Sequence, residues 1–176
     1  MTELDAPVPT RIERVDDAFI WQHFCHLTHH PFELAHRVPN RDWLIEHVRV
    51  PLSALHCCYS NPGDGATLNG LMGSVGWPPG KARNCKILDL ADALREGLAK
   101  GTADIANPSL EQVLSLCGRG VHAILVDEQP IAFVKQNSKW FVREGTRRSV
   151  ALCLLDVTSL EGMNLTTARQ VAPNPR

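Results

Sequence analysis

The residues of this chain best placed for chemistry lie between a predicted strand and a predicted helix, in the run Glu144-Gly145-Thr146-Arg147-Arg148. The helix would begin on two arginines, although the partial positive charge of a helix N-terminus disfavours each cation there by about 0.3–1 kcal/mol. Free backbone N–H groups, a glycine that lets a ligand approach the main chain, and arginine side chains together suit a phosphate. We therefore predict a phosphate cradle made of Gly145, Thr146, Arg147 and Arg148. The alternative is a solvated turn whose arginines pair with Glu144 or Asp127.

A group of basic residues precedes this cradle along one predicted hairpin. Between positions 135 and 148 the sequence has five basic residues and one acidic residue, whereas the formal net charge of the whole chain is −1. We predict that Lys135, Lys139 and Arg143 contact the backbone of a DNA strand that runs into the cradle. Such contacts are independent of base sequence and weaken steeply as salt rises.

Three other side chains are secondary candidates. Asp127 and Glu128 lie between two predicted strands, where paired acids could hold Mg²⁺ for phosphodiester chemistry. The alternative is that they only form the turn. Trp77 lies between a glycine and a proline and could stack on a base or fill a partner's pocket. The alternative is that it anchors its loop to the core.

A histidine-rich region could suggest a metal site. His23, His26 and His30 are spaced three and four apart, so on a helix they would share one face. The region also contains Cys25, His29 and His36. No H-E-x-x-H pattern is present and aromatic residues are mixed with the histidines, so a partly buried helix face is favoured and no metal is predicted.

The composition fits one globular domain of 176 residues, with 44% hydrophobic and 21% charged residues. No apolar run approaches the roughly 20 residues that span a bilayer, and the first residues do not resemble a signal peptide. We expect no membrane partner. The six cysteines lack C-x-x-C spacing, which favours free thiols in the cytoplasm.

The periodicity of apolar residues predicts an α/β (α+β) fold, a small mixed sheet with packed helices. Helices are predicted at 16–27, 87–100, 108–118 and 147–155, and strands at 47–50, 123–126, 130–135 and 139–143. Residues 59–81, rich in glycine and proline, are predicted to form a long loop. We expect an N-terminal extension with one helix (1–47), a main domain (48–156) and a C-terminal tail (157–176).

Four segments in this order resemble the ParB/sulfiredoxin-like superfamily. They are the strand-turn Val50-Pro51-Leu52-Ser53-Ala54-Leu55, the helix Ile87-Leu88-Asp89-Leu90-Ala91-Asp92-Ala93-Leu94, the strand Pro130-Ile131-Ala132-Phe133-Val134, and the turn Gly145-Thr146-Arg147-Arg148-Ser149-Val150-Ala151. The resemblance covers roughly residues 48–156. It implies that the Gly-x-x-Arg turn binds nucleotide phosphates, ATP or CTP, with Mg²⁺ as an accompanying ion.

This chain departs from the motifs of three branches of the superfamily. Thr146 stands where sulfiredoxins have their catalytic cysteine and where partition proteins usually have glutamate. Partition proteins also continue into a helix-turn-helix domain, for which residues 157–176 are too few. Free-serine kinases need a carboxylate near the first strand, where this chain has Ser53 and His56.

A single domain of this fold, with an N-terminal extension and a glycine-rich insertion, is similar to the plasmid fertility-inhibition factors. These proteins block conjugative DNA transfer at the coupling ATPase. The resemblance implies a nucleotide- and DNA-binding protein, with slow nucleotide hydrolysis or DNA cleavage attributed to the group. The catalytic candidates are then Thr146, Arg147, Asp127 and Glu128. The alternatives are a small-molecule kinase of the free-serine type and a non-catalytic interaction domain.

Overall fold

A computed structural model describes residues 6–24, 42–57, 62–78, 85–126 and 129–171. Within these ranges six strands form one mixed sheet that packs with five helices, which confirms the predicted fold class. The strands are β1 (Val8–Asp16), β2 (Asp42–Pro51), β3 (Leu55–Cys57), β4 (Ala132–Gln136), β5 (Lys139–Glu144) and β6 (Ser159–Val171). The helices are α1 (Asp17–Phe24), α2 (Pro62–Gly73), α3 (Ile87–Lys100), α4 (Pro108–Leu125) and α5 (Thr146–Leu154), and a 3-10 turn occupies Leu52–Ala54.

The last strand of the chain lies in the interior of the sheet. The strand order is β1-β2-β6-β4-β5-β3, so β6 joins β2 to β4. It pairs antiparallel with β2 and parallel with β4. This corrects the expected tail at 157–176. The sequence does not reveal β6, because its apolar alternation is irregular. The pairing of β6 with β2 shifts register between Leu44 and Glu46, and several polar residues interrupt the pattern.

The start of the chain also joins the sheet. Residues 8–16, expected as part of an extension whose only element was a helix, form the edge strand β1, antiparallel to β2. Only Val15 of this strand is buried. An edge strand with so little burial lacks the alternating pattern that identifies a half-buried strand.

The sheet separates two hydrophobic cores. Phe133 contributes to the larger core, whereas its neighbours Ala132 and Val134 contribute to the smaller one. Because successive residues of a strand point to opposite faces, the cores lie on opposite sides of the sheet. Helices α2 to α5 supply the larger core, and α1 supplies Ile20 and Phe24 to the smaller one.

Two helix boundaries follow the sequence signals closely. Helix α3 ends at Gly101, whose φ of 65° is the left-handed conformation typical of a helix C-terminus. Helix α4 begins after Asn107, whose side chain accepts a hydrogen bond of 3.0 Å from the Ser109 N–H. The predicted end of α4 at Gly118 is wrong, as is the predicted strand at 123–126. The chain kinks at Gly120 (φ 79°, ψ 164°) and resumes the helix to Leu125, which buries Ile124.

Part of the segment expected to be a long loop is the helix α2. Leu68, Leu71 and Met72 are fully buried on it, which offsets the roughly 1 kcal/mol that each glycine costs in a helix. Gly70 is required by the contact with α4, since a Cβ there would lie 2.9 Å from the Cβ of Ser109. Gly70, one of the glycines that predicted a loop, therefore permits close helix packing.

Candidate phosphate-binding site

A glycine turn joins β5 to α5, as predicted. Gly145 has φ 92° and ψ 25°, a conformation that residues with a Cβ rarely adopt. A Cβ at this position would also lie 3.1 Å from Cγ1 of Ile131 and 3.2 Å from a guanidinium nitrogen of Arg148. The backbone conformation therefore favours glycine here, and the close packing leaves little room for a Cβ.

The N-terminus of α5 has no side-chain cap within the described residues. The carboxylate of Glu144 accepts a hydrogen bond of 3.1 Å from the N–H of Gly145, one residue before the helix. Ser149 donates from its N–H (2.9 Å) and from its hydroxyl (3.0 Å) to the Gly145 carbonyl, which fixes the first turn. The amides of Thr146 and Arg147 thus remain for a ligand that accepts hydrogen bonds.

Thr146 is the first residue of α5 and is 4% exposed. Its hydroxyl oxygen is buried and has no hydrogen-bond partner in the part of the chain that the structure describes. A buried polar group without a partner costs about 1–3 kcal/mol, so such groups in native proteins need a reason, such as a catalytic role or an ordered water or ion.

Arg147 is exposed and reaches across to α2. One terminal nitrogen of its guanidinium donates to the hydroxyl of Thr67 at 2.8 Å. This bond orients a cation beside the uncapped end of α5 while leaving its other N–H donors available. Sequence reasoning missed Thr67, because it lies in the segment that was expected to be a loop.

Arg148 points away from Arg147 and into the protein. It is 8% exposed, and its guanidinium donates to the carbonyl of Gln129 and, at 3.1 Å, to that of Pro130. Successive helical residues are about 100° apart, so adjacent arginines cannot share one direction. Arg148 holds the segment before β4 and packs under Gly145, whereas Arg147 faces outward.

The basic residues of the β4–β5 hairpin lie mostly at its tip. Asn137 and Ser138 form the two-residue turn with φ of 48° and 64°, and the exposed Lys135 and Lys139 flank it. The ammonium of Lys135 lies 5.6 Å from the ring centre of Trp140. Gly145 is at the other end of β5, about 20 Å away at the usual rise of a strand. Arg143 is 8% exposed, so the hairpin does not present three adjacent free cations.

The other predicted site residues lie elsewhere or outside the described residues. Trp77 is partly buried against the larger core, and its backbone N–H donates to the Met72 carbonyl at 2.9 Å. Asp127 and Glu128 are not among the described residues, nor are His26, His29, His30 and His36. His23 lies on α1 with its ring centre 4.6 Å from that of Phe19. Across the described residues, no group of three potential metal ligands is found.

Two cysteines near α5 are poorly suited to nucleophilic chemistry. Burial raises the pKa of the Cys153 thiol, and burial likewise raises the pKa of Cys117. Because the thiolate is the reactive form, both side chains stay protonated near neutral pH. They act as small apolar groups in the packing of α5.

Three comparisons with known proteins found no match. No protein-family model matches the chain, and neither a curated protein nor a solved structure does. None of the described helices combines the length and apolar character needed to cross a membrane. The ParB/sulfiredoxin-like resemblance therefore rests on the sequence motifs.

Proposed function

We propose that this protein binds the phosphate groups of a nucleotide, ATP or CTP, at the N-terminus of α5. The observation that carries the proposal is the buried Thr146 hydroxyl without a partner, at a helix end that no described side chain caps. A phosphate supplies several strong acceptor oxygens and negative charge, which suit both features. The sequence motif Gly-x-x-Arg independently favours the same turn.

The expected contacts follow from the geometry. The backbone N–H groups of Thr146 and Arg147 and the Thr146 hydroxyl would donate to phosphate oxygens. The Arg147 guanidinium, oriented by Thr67, would add charge-assisted hydrogen bonds. Arg148 is a positioning residue that supports the turn. We propose nucleotide binding as the primary activity of this site.

The substitution Thr146→Val tests whether the buried Thr146 hydroxyl contacts the ligand. It should stabilise the protein and weaken ATP binding. Removal of the unpartnered hydroxyl should raise the free energy of unfolding by about 1 kcal/mol or more, because a methyl group suits the buried site better. The same change should weaken ATP binding about tenfold, measured by calorimetry. Thr146→Ser keeps the hydroxyl and serves as the control. A stabilised variant with unchanged affinity would show that the hydroxyl contacts no ligand.

The substitution Arg147→Ala should weaken ATP and CTP binding about tenfold to a hundredfold, the scale of a lost charge-assisted interaction. Arg119→Ala is the matched control, because it removes the same charge from an exposed position on α4. Calorimetry at several salt concentrations should also show affinity that falls as salt rises. Equal affinities of the two variants, or no nucleotide binding by the unmodified protein, would refute the proposal.

We further propose, on the family resemblance, that the protein acts in the cytoplasm as a fertility-inhibition factor directed at a conjugation coupling ATPase. The exposed Lys135 and Lys139 support weak, sequence-independent contacts with DNA. A mating assay tests this role: expression of the protein should reduce plasmid transfer, and Arg147→Ala should restore it. Unreduced transfer with the unmodified protein would exclude the role while leaving nucleotide binding open.

A further inference from the structure

The edge strand β1 has an exposed surface that the proposed nucleotide site does not use. Within the described residues β1 pairs with β2 only, so its outer side carries backbone groups available for another strand. Ile12, at the centre of the strand, is 66% exposed. An exposed β-branched residue on an unpaired edge is a feature that soluble proteins usually avoid unless the edge has a partner.

The charges on either side of Ile12 would be complementary between two antiparallel copies of β1. Arg11 and Glu13 lie on the same face of β1, and within one chain their side chains approach to 3.3 Å. Their side chains are 54% and 31% exposed, so both can reach a neighbouring chain. A second copy of β1, running antiparallel, would bring an arginine opposite a glutamate and a glutamate opposite an arginine.

Only one register gives this arrangement. In a twofold antiparallel pair, the residue on the axis faces its own copy, and residues equally far from it face each other. An axis at Arg11, Glu13 or Arg14 would place like charges opposite each other. An axis at Ile12 places Ile12 against Ile12 and forms two reciprocal Arg11–Glu13 pairs. Like charges opposite each other destabilise a sheet, which disfavours those three axes, whereas the axis at Ile12 pairs Arg11 with Glu13 and buries the exposed Ile12 side chain against its copy.

We propose that two copies of this chain associate through β1, antiparallel and centred on Ile12, to form one continuous sheet. The register shift between Pro9 and Arg11 and the missing N–H of Pro9 limit the pairing on one side. The contact therefore involves about five residues of each chain. A contact this short gives a reversible dimer that forms at high micromolar protein concentration.

Sedimentation equilibrium of the full chain tests the proposal by charge reversal. Glu13→Arg gives a chain with two positive side chains on this face, and Arg11→Glu gives one with two negative side chains. Each variant alone should dimerise at least about tenfold more weakly than the unmodified protein, because like charges then face each other. An equimolar mixture of the two should form a heterodimer, since opposite charges are restored across the interface. Arg119→Glu, a charge reversal on α4, is the control and should leave dimerisation unchanged.

A second variant guards against loss of structure, since Glu13 also forms a 2.6 Å contact with the ring of His47. Ile12→Lys changes only an exposed side chain and places two cations on the axis, so it should yield a folded monomer. Ile12→Val should still dimerise. An unmodified protein that stays monomeric at high concentration, a mixture that forms no heterodimer, or an Ile12→Lys variant that dimerises normally would each overturn the proposal.

Discussion

Removal of residues 158–176 should abolish cooperative folding of this protein. The deletion removes β6, which joins β2 to β4, and so divides the sheet into two parts. It also removes Leu160, Met163 and Leu165, which are at most 3% exposed. Each buried side chain of this size stabilises the fold by about 1.5–3 kcal/mol, and the hydrogen bonds of both ladders are lost as well. The sum is comparable with the whole stability of a typical domain, about 5–15 kcal/mol.

Circular dichroism during urea unfolding measures the effect. The shortened chain should show no cooperative transition, whereas a chain that ends at Val171, the last residue of β6, should unfold like the full protein. A cooperative transition at the unmodified midpoint in the shorter chain would show that β6 is dispensable.

The addition of a single methyl group to β6 should also have a large effect on stability. A Cβ at Gly162 would lie 2.6 Å from the carbonyl oxygen of Ile131 and 2.7 Å from the ring of Phe133. That same carbonyl accepts the 2.9 Å hydrogen bond from the Met163 N–H, beside the start of the pairing of β6 with β4. Relief of the clash must therefore move backbone, and Gly162→Ala should lower the free energy of unfolding by about 2–4 kcal/mol.

Gly118→Ala provides the matched control for that substitution. Among the described residues no atom lies within 4 Å of a Cβ built at Gly118, which is part of α4. Alanine favours a helix over glycine by about 1 kcal/mol, so this change should stabilise the protein. Urea unfolding measures the stability of both variants. Changes of the same sign in the free energy of unfolding would contradict the close packing of Gly162 against Ile131 and Phe133.

The elements that sequence reasoning predicted well are those with strong local signals. Helix α3 has one apolar face and a glycine at its end, and α4 has an asparagine cap followed by proline. The end of α3 and the start of α4 depend on short-range chemistry that is visible in the sequence. The turn at Gly145 belongs to this class, because a glycine between a strand and a helix has a local explanation.

The elements that sequence reasoning missed depend on distant partners. Strand β6 pairs with β2 more than a hundred residues earlier, and its polar residues conceal its burial. Helix α2 is stabilised by packing against α4 through Gly70, a contact that no local pattern reveals. Tertiary packing overrides local propensity in both cases.

The candidate site also combines features that have local sequence signals with features that depend on distant partners. The glycine turn lies where the sequence predicts it, but the inward direction of Arg148 depends on the carbonyls of Gln129 and Pro130. Thr67 reaches the site only because α2 packs beside α5. Residue types and spacing indicated a phosphate, whereas the division of labour between the two arginines required the fold.

The most direct test of phosphate binding at α5 follows the backbone amides of the isotope-labelled protein by nuclear magnetic resonance while ATP is added. Hydrogen bonds from N–H groups to phosphate shift the amide resonances of the donors strongly. Phosphate binding at this helix end predicts saturable shifts that are largest at Thr146 and Arg147, with small shifts at Lys135 and Lys139. Saturable shifts confined to other residues, or no shifts at all, would contradict phosphate binding at the N-terminus of α5.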